Sequence, residues 1–301
     1  MSPELPAVAL AAVPGRRLAT LELARELERR GFGGIYCASF GDGMALCQAL
    51  AQATSRIRFG TAIANLYTRH VFDYAQHASF IHELSGGRFH FGVGVSHDAV
   101  NRRFGVQGGA PLADTRRFAE GYRKAPVGEL PPLVLAALRT KMVALAGELG
   151  DGVVFANVAR SHVPKSLAAL PARKRADPAF FVGNMIPVCI SDDRPAAAAR
   201  NRKTLQMYLG FPNYRNYWRE AGYADEMERV EKAIAAGERE RAPELVSERW
   251  LADVSLFGSV AEVREGVAAW RAAGVSTPIL VPSSATGNQL VAFEELFAAF
   301  A

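Results

Sequence analysis

Short apolar runs alternate along this chain with longer stretches in which apolar positions recur every three or four residues. The runs have strand length, and the stretches have the period of helices packed by one face. The first pair is a strand over Leu5–Leu10 and a helix over Arg17–Arg30, stopped by Gly31. Gly34–Ala38 and Met44–Ala53 follow as strand and helix, then Ile57–Ala64 and Val71–Leu84. Arg88–Val95 predicts a fourth strand and Leu133–Ala137 a fifth, backed by a helix over Lys141–Leu149. Asp151–Ala156 and a helix near Val163–Leu170 make the sixth pair. Phe180–Ile190 holds the seventh strand, with an Ala-rich helix from Pro195. Thr277–Val281 is the eighth, preceded by a helix over Val260–Ala273.

Eight such alternations predict an α/β fold, a (β/α)8 TIM barrel, spanning residues 1–301 as one domain. The strands are continuous apolar runs, as parallel strands covered by helices should be. An open doubly wound sheet is the competing architecture, but the segment after Leu10 reads AAVPGRR and carries no G-x-G-x-x-G. One stretch breaks the rhythm. From Phe211 to Leu256 the sequence is polar and helical, with no strand signal. It predicts a helical insertion over about 211–256, between strands seven and eight, forming a cap over the C-terminal mouth rather than a solvated decoration.

Composition narrows the function. With 301 residues, 50% hydrophobic and 22% charged, the chain is globular rather than disordered or fibrous. Lys and Arg number 35 against 30 Asp and Glu, and this excess of +5 is scattered. It argues for a small-molecule substrate, an anionic one included, and against nucleic acid. No apolar run approaches the roughly 20 residues of a membrane span. Met1-Ser2-Pro3-Glu4 lacks the pattern of a signal peptide, so a cytoplasmic protein is expected. Cys37, Cys47 and Cys189 are far apart in sequence and never form C-x-x-C. They read as small buried hydrophobes, with Cys37 the candidate thiol nucleophile if there is one.

Barrel active sites lie at the C-terminal ends of strands and in the loops beyond. That filter selects Asn65–His70 after strand three, Ser96–Arg103 after strand four, Ala137–Lys141 after strand five, and Asn157 after strand six. The glycines of Gly92-Val93-Gly94 permit close backbone approach, either by a planar ring or by the barrel's own packing. His97, between Ser96 and Asp98, is a candidate to hydrogen-bond a cofactor or move a proton near neutral pH. His70, His77, His82, His90 and His162 are weaker candidates. No H-E-x-x-H spacing appears, and no catalytic metal is expected. Asp42 and Asp98 are the nearest carboxylates to strand ends, and Asp42 is equally placed to cap a helix. There is neither a G-x-S-x-G elbow nor a P-loop. Elimination leaves a bound organic cofactor to supply the difficult chemistry.

The stretch Thr54–Asn101, TSRIRFGTAIANLYTRHVFDYAQHASFIHELSGGRFHFGVGVSHDAVN, resembles the luciferase-like monooxygenase superfamily. The resemblance rests on I-R-x-G-T-x-I-x-N, the R-H before the next helix, and L-S-G-G-R-F-x-x-G-V-G-V-S-H. Leu135–Val154 and Phe257–Val281 extend it over most of the barrel. Tyr208–Tyr217, YLGFPNYRNY, resembles the branch of deazaflavin-dependent oxidoreductases that use coenzyme F420. The resemblance implies a barrel, usually homodimeric, that binds a flavin or deazaflavin at its C-terminal mouth. It implies a non-prolyl cis peptide at Ala62–Ile63 supporting the ring, with Asn65 beside it. Ser96 and His97 would meet the ring or its ribityl chain, and Asn101 would join them. Ala137, Leu138 and Arg139 would hold the tail and phosphate.

Two departures stand out. Several members carry an acid or histidine at the end of strand two, where this chain reads Ala38-Ser39-Phe40-Gly41, with no ionisable group before Asp42. The stretch Val106–Leu133 is short, which trims the substrate-facing insertion after strand four. The function expected is an F420-dependent oxidoreductase passing hydride to or from a small organic substrate, with His97 as proton donor or hydrogen-bonding group. An FMN-dependent monooxygenase and a non-catalytic flavin-binding barrel are the alternatives. The early helices, with Leu46, Leu50, Phe72, Tyr74, Phe80 and Ile81, predict the dimer face.

Overall fold

Strands and helices alternate in the order of a (β/α)8 barrel, as the sequence predicts. The computed structural model describes residues 5–39 and 41–301. Met1-Ser2-Pro3-Glu4 and Phe40, both used in reading the sequence, lie outside the described residues. The chain folds as two compact units. One contains the chain up to Val154 together with Ala168–Gly183, the other Phe155–Leu167 with Asn184–Ala301.

The first unit begins with β1 (Ala7–Leu10), α1 (Arg17–Arg29), β2 (Gly34–Ala38) and α2 (Gly43–Ala53). β3 (Phe59–Ala62) and β4 (Ala64–Asn65) replace the single strand predicted there, and α3 (Val71–Leu84) follows. Next come β5 (Phe89–Gly94), α4 (Asp98–Arg103), α5 (Pro111–Arg123), β6 (Leu133–Ala136), α6 (Thr140–Leu149) and β7 (Gly152–Ala156). The pairs β1–β2, β2–β3, β3–β5, β4–β5, β5–β6 and β6–β7 are all parallel. Past β7 the chain makes α7 (Val163–Leu167) in the second unit and α8 (Ala172–Arg175) back in the first.

Two charged side chains organise the N-terminal ends of these strands. The Glu28 carboxylate accepts the backbone N–H groups of Ser55, Arg56 and Ile57 at 2.9, 2.6 and 2.9 Å. Burial is the largest single effect and raises its pKa, but these bonds together outweigh it and hold the pKa below the usual range. Arg88, the arginine of the L-S-G-G-R-F motif, donates to Ala51, Thr54, Ile57 and Ser85 carbonyls and to the Thr54 hydroxyl. Gly86 and Gly87 have φ of 62° and 82°, a conformation that favours glycine and turns the chain from α3 into β5. The motif is therefore a structural clamp. Of the residues expected at a dimer face, Leu46, Leu50, Tyr74 and Ile81 are buried within the chain. They pack the core instead, and Phe72 and Phe80 are exposed.

The second unit contains most of β8 (Phe181–Ile190), then α9 (Arg194–Leu209), α10 (Pro212–Glu220), α11 (Ala224–Ala235) and α12 (Glu248–Val254). It ends with β9 (Leu256–Gly258), α13 (Val260–Ala272), β10 (Thr277–Ser283) and α14 (Gln289–Ala299). β8 pairs in parallel with β9, Val188 opposite Leu256, and also pairs with β10. The inserted stretch is helical as predicted, but a short strand not predicted from the sequence, β9, opens at its last residue, Leu256. Trp218 and Trp250 meet edge to face at 4.9 Å between ring centres and are fully buried, giving these helices an apolar centre of their own. The Asp253 carboxylate accepts from the Ser161 N–H and hydroxyl and from the Tyr223 hydroxyl, at 2.9, 2.6 and 2.8 Å.

Candidate active site

The β2–β3 ladder stops with Ala38 opposite Ala62, and pairing resumes with Ala64 opposite Val93. Ile63 falls between the two, half-buried, and the Ala62–Ile63 peptide is cis, as the resemblance implies. The Ser39 hydroxyl lies against Ile63. It accepts the Ile63 N–H at 3.3 Å and donates to the Ile63 carbonyl at 3.1 Å.

Asn65 and Asn101 are both buried and face each other. The Asn65 amide donates to Asn101 Oδ1 at 2.7 Å, and Asn65 Oδ1 accepts the Tyr67 N–H at 3.1 Å. Asn101 Nδ2 donates in turn to the Val95 carbonyl at 3.1 Å. Asn65 also accepts at its backbone carbonyl, from the Thr68 and Tyr74 hydroxyls, both at 2.8 Å. These two amides tie the end of strand three to the loop after β5. Ser96, at the turn of that loop, has φ 57°, and His97 follows as the N-cap of α4. The His97 carbonyl accepts the Asn101 N–H at 2.8 Å, so the same asparagine holds both sides of the turn.

Burial lowers the His97 pKa to about 4, opposed only by the neighbouring Asp98. The imidazole is uncharged at neutral pH. Removal from water disfavours the imidazolium. His97 can still donate or accept a hydrogen bond.

The glycines of β5 serve packing. A Cβ on Gly92 would lie 1.9 Å from the Thr61 carbonyl oxygen, and one on Gly94 2.7 Å from the Ala136 Cβ. The Thr61 hydroxyl donates to the Gly92 carbonyl at 2.6 Å and accepts the Gly92 N–H at 3.0 Å. The space beside Gly92 and Gly94 is filled by the strands on either side and by the Ile63 side chain.

Tyr67 lies within the Asn65–His70 stretch selected from the sequence, whereas its partner Asp114 has no counterpart in that reading. The Tyr67 hydroxyl donates to the buried Asp114 carboxylate at 2.8 Å and accepts the Gly109 N–H at 3.3 Å. Burial, with the adjacent carboxylate, pushes its pKa up to about 12. Arg117 pairs with the other Asp114 oxygen. Together they seat the short segment after α4 against Tyr67. Asp42 caps α2 through the Ala45 N–H at 3.1 Å and pairs with Arg69 at 2.8 Å. His70 caps α3. Both are structural.

Ala137, Leu138 and Arg139 form a separate group beyond β6. The Ala137 N–H continues the sheet to the Val154 carbonyl at 3.0 Å, and Arg139 is exposed at the start of α6. In the second unit Asn157 has φ 52° and is buried, and its carbonyl accepts the Trp218 indole N–H at 3.1 Å. The Tyr217 hydroxyl accepts the Ala159 N–H at 3.2 Å, so the Tyr208–Tyr217 motif is bound to the loop after β7. The sulfurs of Cys37 and Cys47, ten residues apart in sequence, lie 3.6 Å apart in the core. Burial raises the Cys47 thiol pKa well above its usual value, and neither cysteine is placed as a nucleophile. Among the described residues no group of three or more His, Cys, Asp or Glu could hold a metal ion, and no helix is long and apolar enough to cross a membrane.

The family profile of the luciferase-like monooxygenases matches residues 10–125 and 118–277, and the chain belongs to that family. A protein of Mycobacterium tuberculosis whose name assigns it to the coenzyme F420-dependent oxidoreductases is 26% identical, over 88% of this chain and 90% of its own. Among solved structures, the F420-dependent tetrahydromethanopterin reductase of Methanopyrus kandleri superimposes with a TM-score of 0.78 at 18% identity, covering 97% of both chains. An F420-dependent secondary alcohol dehydrogenase in complex with an F420–acetone adduct gives 0.73 at 15% identity, covering 98% of each.

Proposed function

We propose that this protein is a deazaflavin-dependent oxidoreductase, using coenzyme F420 to pass hydride to or from a small organic substrate. The observation that carries this reading is Ile63. It stands out of the ladder at the C-terminal end of strand three, half-buried, with both backbone polar groups met by Ser39. Its exposed side offers an apolar support for a planar ring where the family binds one.

The surrounding residues fit such a cofactor. Arg139 is exposed at the N-terminus of the ten-residue helix α6, where its charge and the helix dipole both favour an anionic tail. Ala62 and Ile63 would support the ring, Ser96 and His97 would border it, and Ala137, Leu138 and Arg139 would hold the tail. When bound, the coenzyme supplies the hydride donor or acceptor carbon. The chain itself orients and binds. Asn65 and Asn101, bonded to each other, would hold the Ser96–His97 turn beside the ring. His97, uncharged, is suited to hydrogen-bond a substrate oxygen, and a full proton transfer at neutral pH would draw on solvent.

Titrating the purified protein separately with coenzyme F420 and with FMN tests this reading. Binding of F420 at micromolar concentration, and its reduction or oxidation with a panel of secondary alcohols, ketones and enones, is the result expected. Preference for reduced FMN with consumption of oxygen would make the protein a monooxygenase. Tight F420 binding with no turnover across the panel would favour the non-catalytic barrel.

A further inference from the structure

Ser39 is one residue past β2. The β2–β3 register runs from Ile35 opposite Phe59 to Ala38 opposite Ala62, so one further step would set Ser39 opposite Ile63. The ladder ends before that step, and the side chain takes over from the backbone. The Ser39 hydroxyl accepts the Ile63 N–H at 3.3 Å and donates to the Ile63 carbonyl at 3.1 Å. One group closes both polar atoms of a residue that has left the sheet. Ile63 is bounded on its other side by β5, where a Cβ on Gly94 would come within 3.5 Å of its side chain.

We propose that Ser39 is a positioning residue for the cofactor ring, setting the height and tilt of the Ile63 support; this rests on the reading of the site given above. The task needs a side chain that both donates and accepts over a short reach. A hydroxyl does both, whereas an ionised carboxylate only accepts and would face the Ile63 carbonyl with like charge. That accounts for a serine at this place, where the resemblance leads one to expect an acid or a histidine. Ser39 is exposed, so its loss should leave the core intact and act on the site.

Ser39→Thr and Ser39→Val have nearly the same shape, one with the hydroxyl and one without. Each would be titrated with coenzyme F420, recording the dissociation constant, the absorption spectrum of the bound coenzyme and the melting temperature. Thr should match the parent within about twofold. Val should bind about 3- to 15-fold more weakly, the value of one to two modest hydrogen bonds. Its bound spectrum should also move toward that of the free coenzyme, with melting unchanged. Should Val fail to fold, Ser39→Ala replaces it. Parent binding with Thr and Val indistinguishable overturns the role of Ser39 and leaves the functional reading standing. Failure of the parent to bind either F420 or FMN overturns both.

Discussion

The side-chain amide of Asn65 donates to Asn101 Oδ1 at 2.7 Å, joining the end of strand three to the first helix after strand four through two buried groups. Asn101 passes the constraint on to the Val95 carbonyl, one residue before the left-handed Ser96. Asn101→Ala would leave the Asn65 amide buried without a partner, at a cost of about 1–3 kcal/mol. Asn101→Asp keeps the shape and the acceptor for Asn65 but turns a carboxylate oxygen toward the Val95 carbonyl. It should destabilise at least as much as Ala. Urea denaturation of the two variants checks this, and an Asp variant as stable as the parent would show that the bond to the Val95 carbonyl contributes little.

Two histidines make stability depend on acid. Burial lowers the pKa of His90 to about 4, aided by Arg58 and His82, and burial alone brings His97 to about 4. The unfolded chain protonates both near 6.5, so below that pH it binds protons that the folded chain refuses. Stability should fall as pH drops from about 6.5 to about 4 and level off below. Each histidine contributes at most about 1.4 kcal/mol per pH unit, less for the part that water screens. Comparing denaturation of His90→Gln with the parent at pH 7 and pH 5 tests this. The variant should lose less between the two, and an equal loss would place the acid sensitivity elsewhere.

What the sequence revealed follows from what burial demands. A parallel strand covered on both faces must be apolar throughout, so GVVFA and FHFGVG announced themselves. β9 has three residues and follows a helix directly, too short to register as a run. α5 stayed hidden because its buried face includes Asp114 and Thr115, which break the apolar period. Asp114 tolerates burial only because Tyr67 and Arg117 bind it, and no spacing rule links residues 67 and 114. The same holds at the site. Motif position located Asn65 and Asn101 one by one, but no spacing rule showed that their side chains bond to each other. Cys37 and Cys47 looked remote, yet a strand and its following helix fold them together.

Phe72, Phe80 and Leu84 lie along one side of α3 and are 38%, 53% and 40% exposed. Three large apolar side chains at spacings of eight and four make a stripe that water covers poorly. A homodimer expected from the early helices would therefore use this narrower face, without Leu46, Leu50, Tyr74 or Ile81. Phe80→Glu places a charge at its middle. Sedimentation should show the parent as a dimer and this variant as a monomer, while a parent that is monomeric at every concentration would remove the interface.

Arg139 joins charge to function most directly. It is exposed at the start of α6, and Lys141 lies two residues on. The tail of a deazaflavin coenzyme carries a phosphodiester and carboxylates, whereas its ring is nearly neutral. A charge-assisted bond from the guanidinium to that phosphate is worth about 1.5–3 kcal/mol, so Arg139→Ala should bind coenzyme F420 roughly 10- to 150-fold more weakly. The parent's affinity should also fall with added salt more steeply than the variant's, because an exposed contact is screened. FMN, with one phosphate and a shorter tail, should lose no more than F420 does. A solvated arginine at a helix start would change affinity less than about threefold. Titrating parent and variant at two ionic strengths separates these cases. Equal affinities with equal salt dependence would mean that the tail lies elsewhere and that Arg139 serves only the surface of α6.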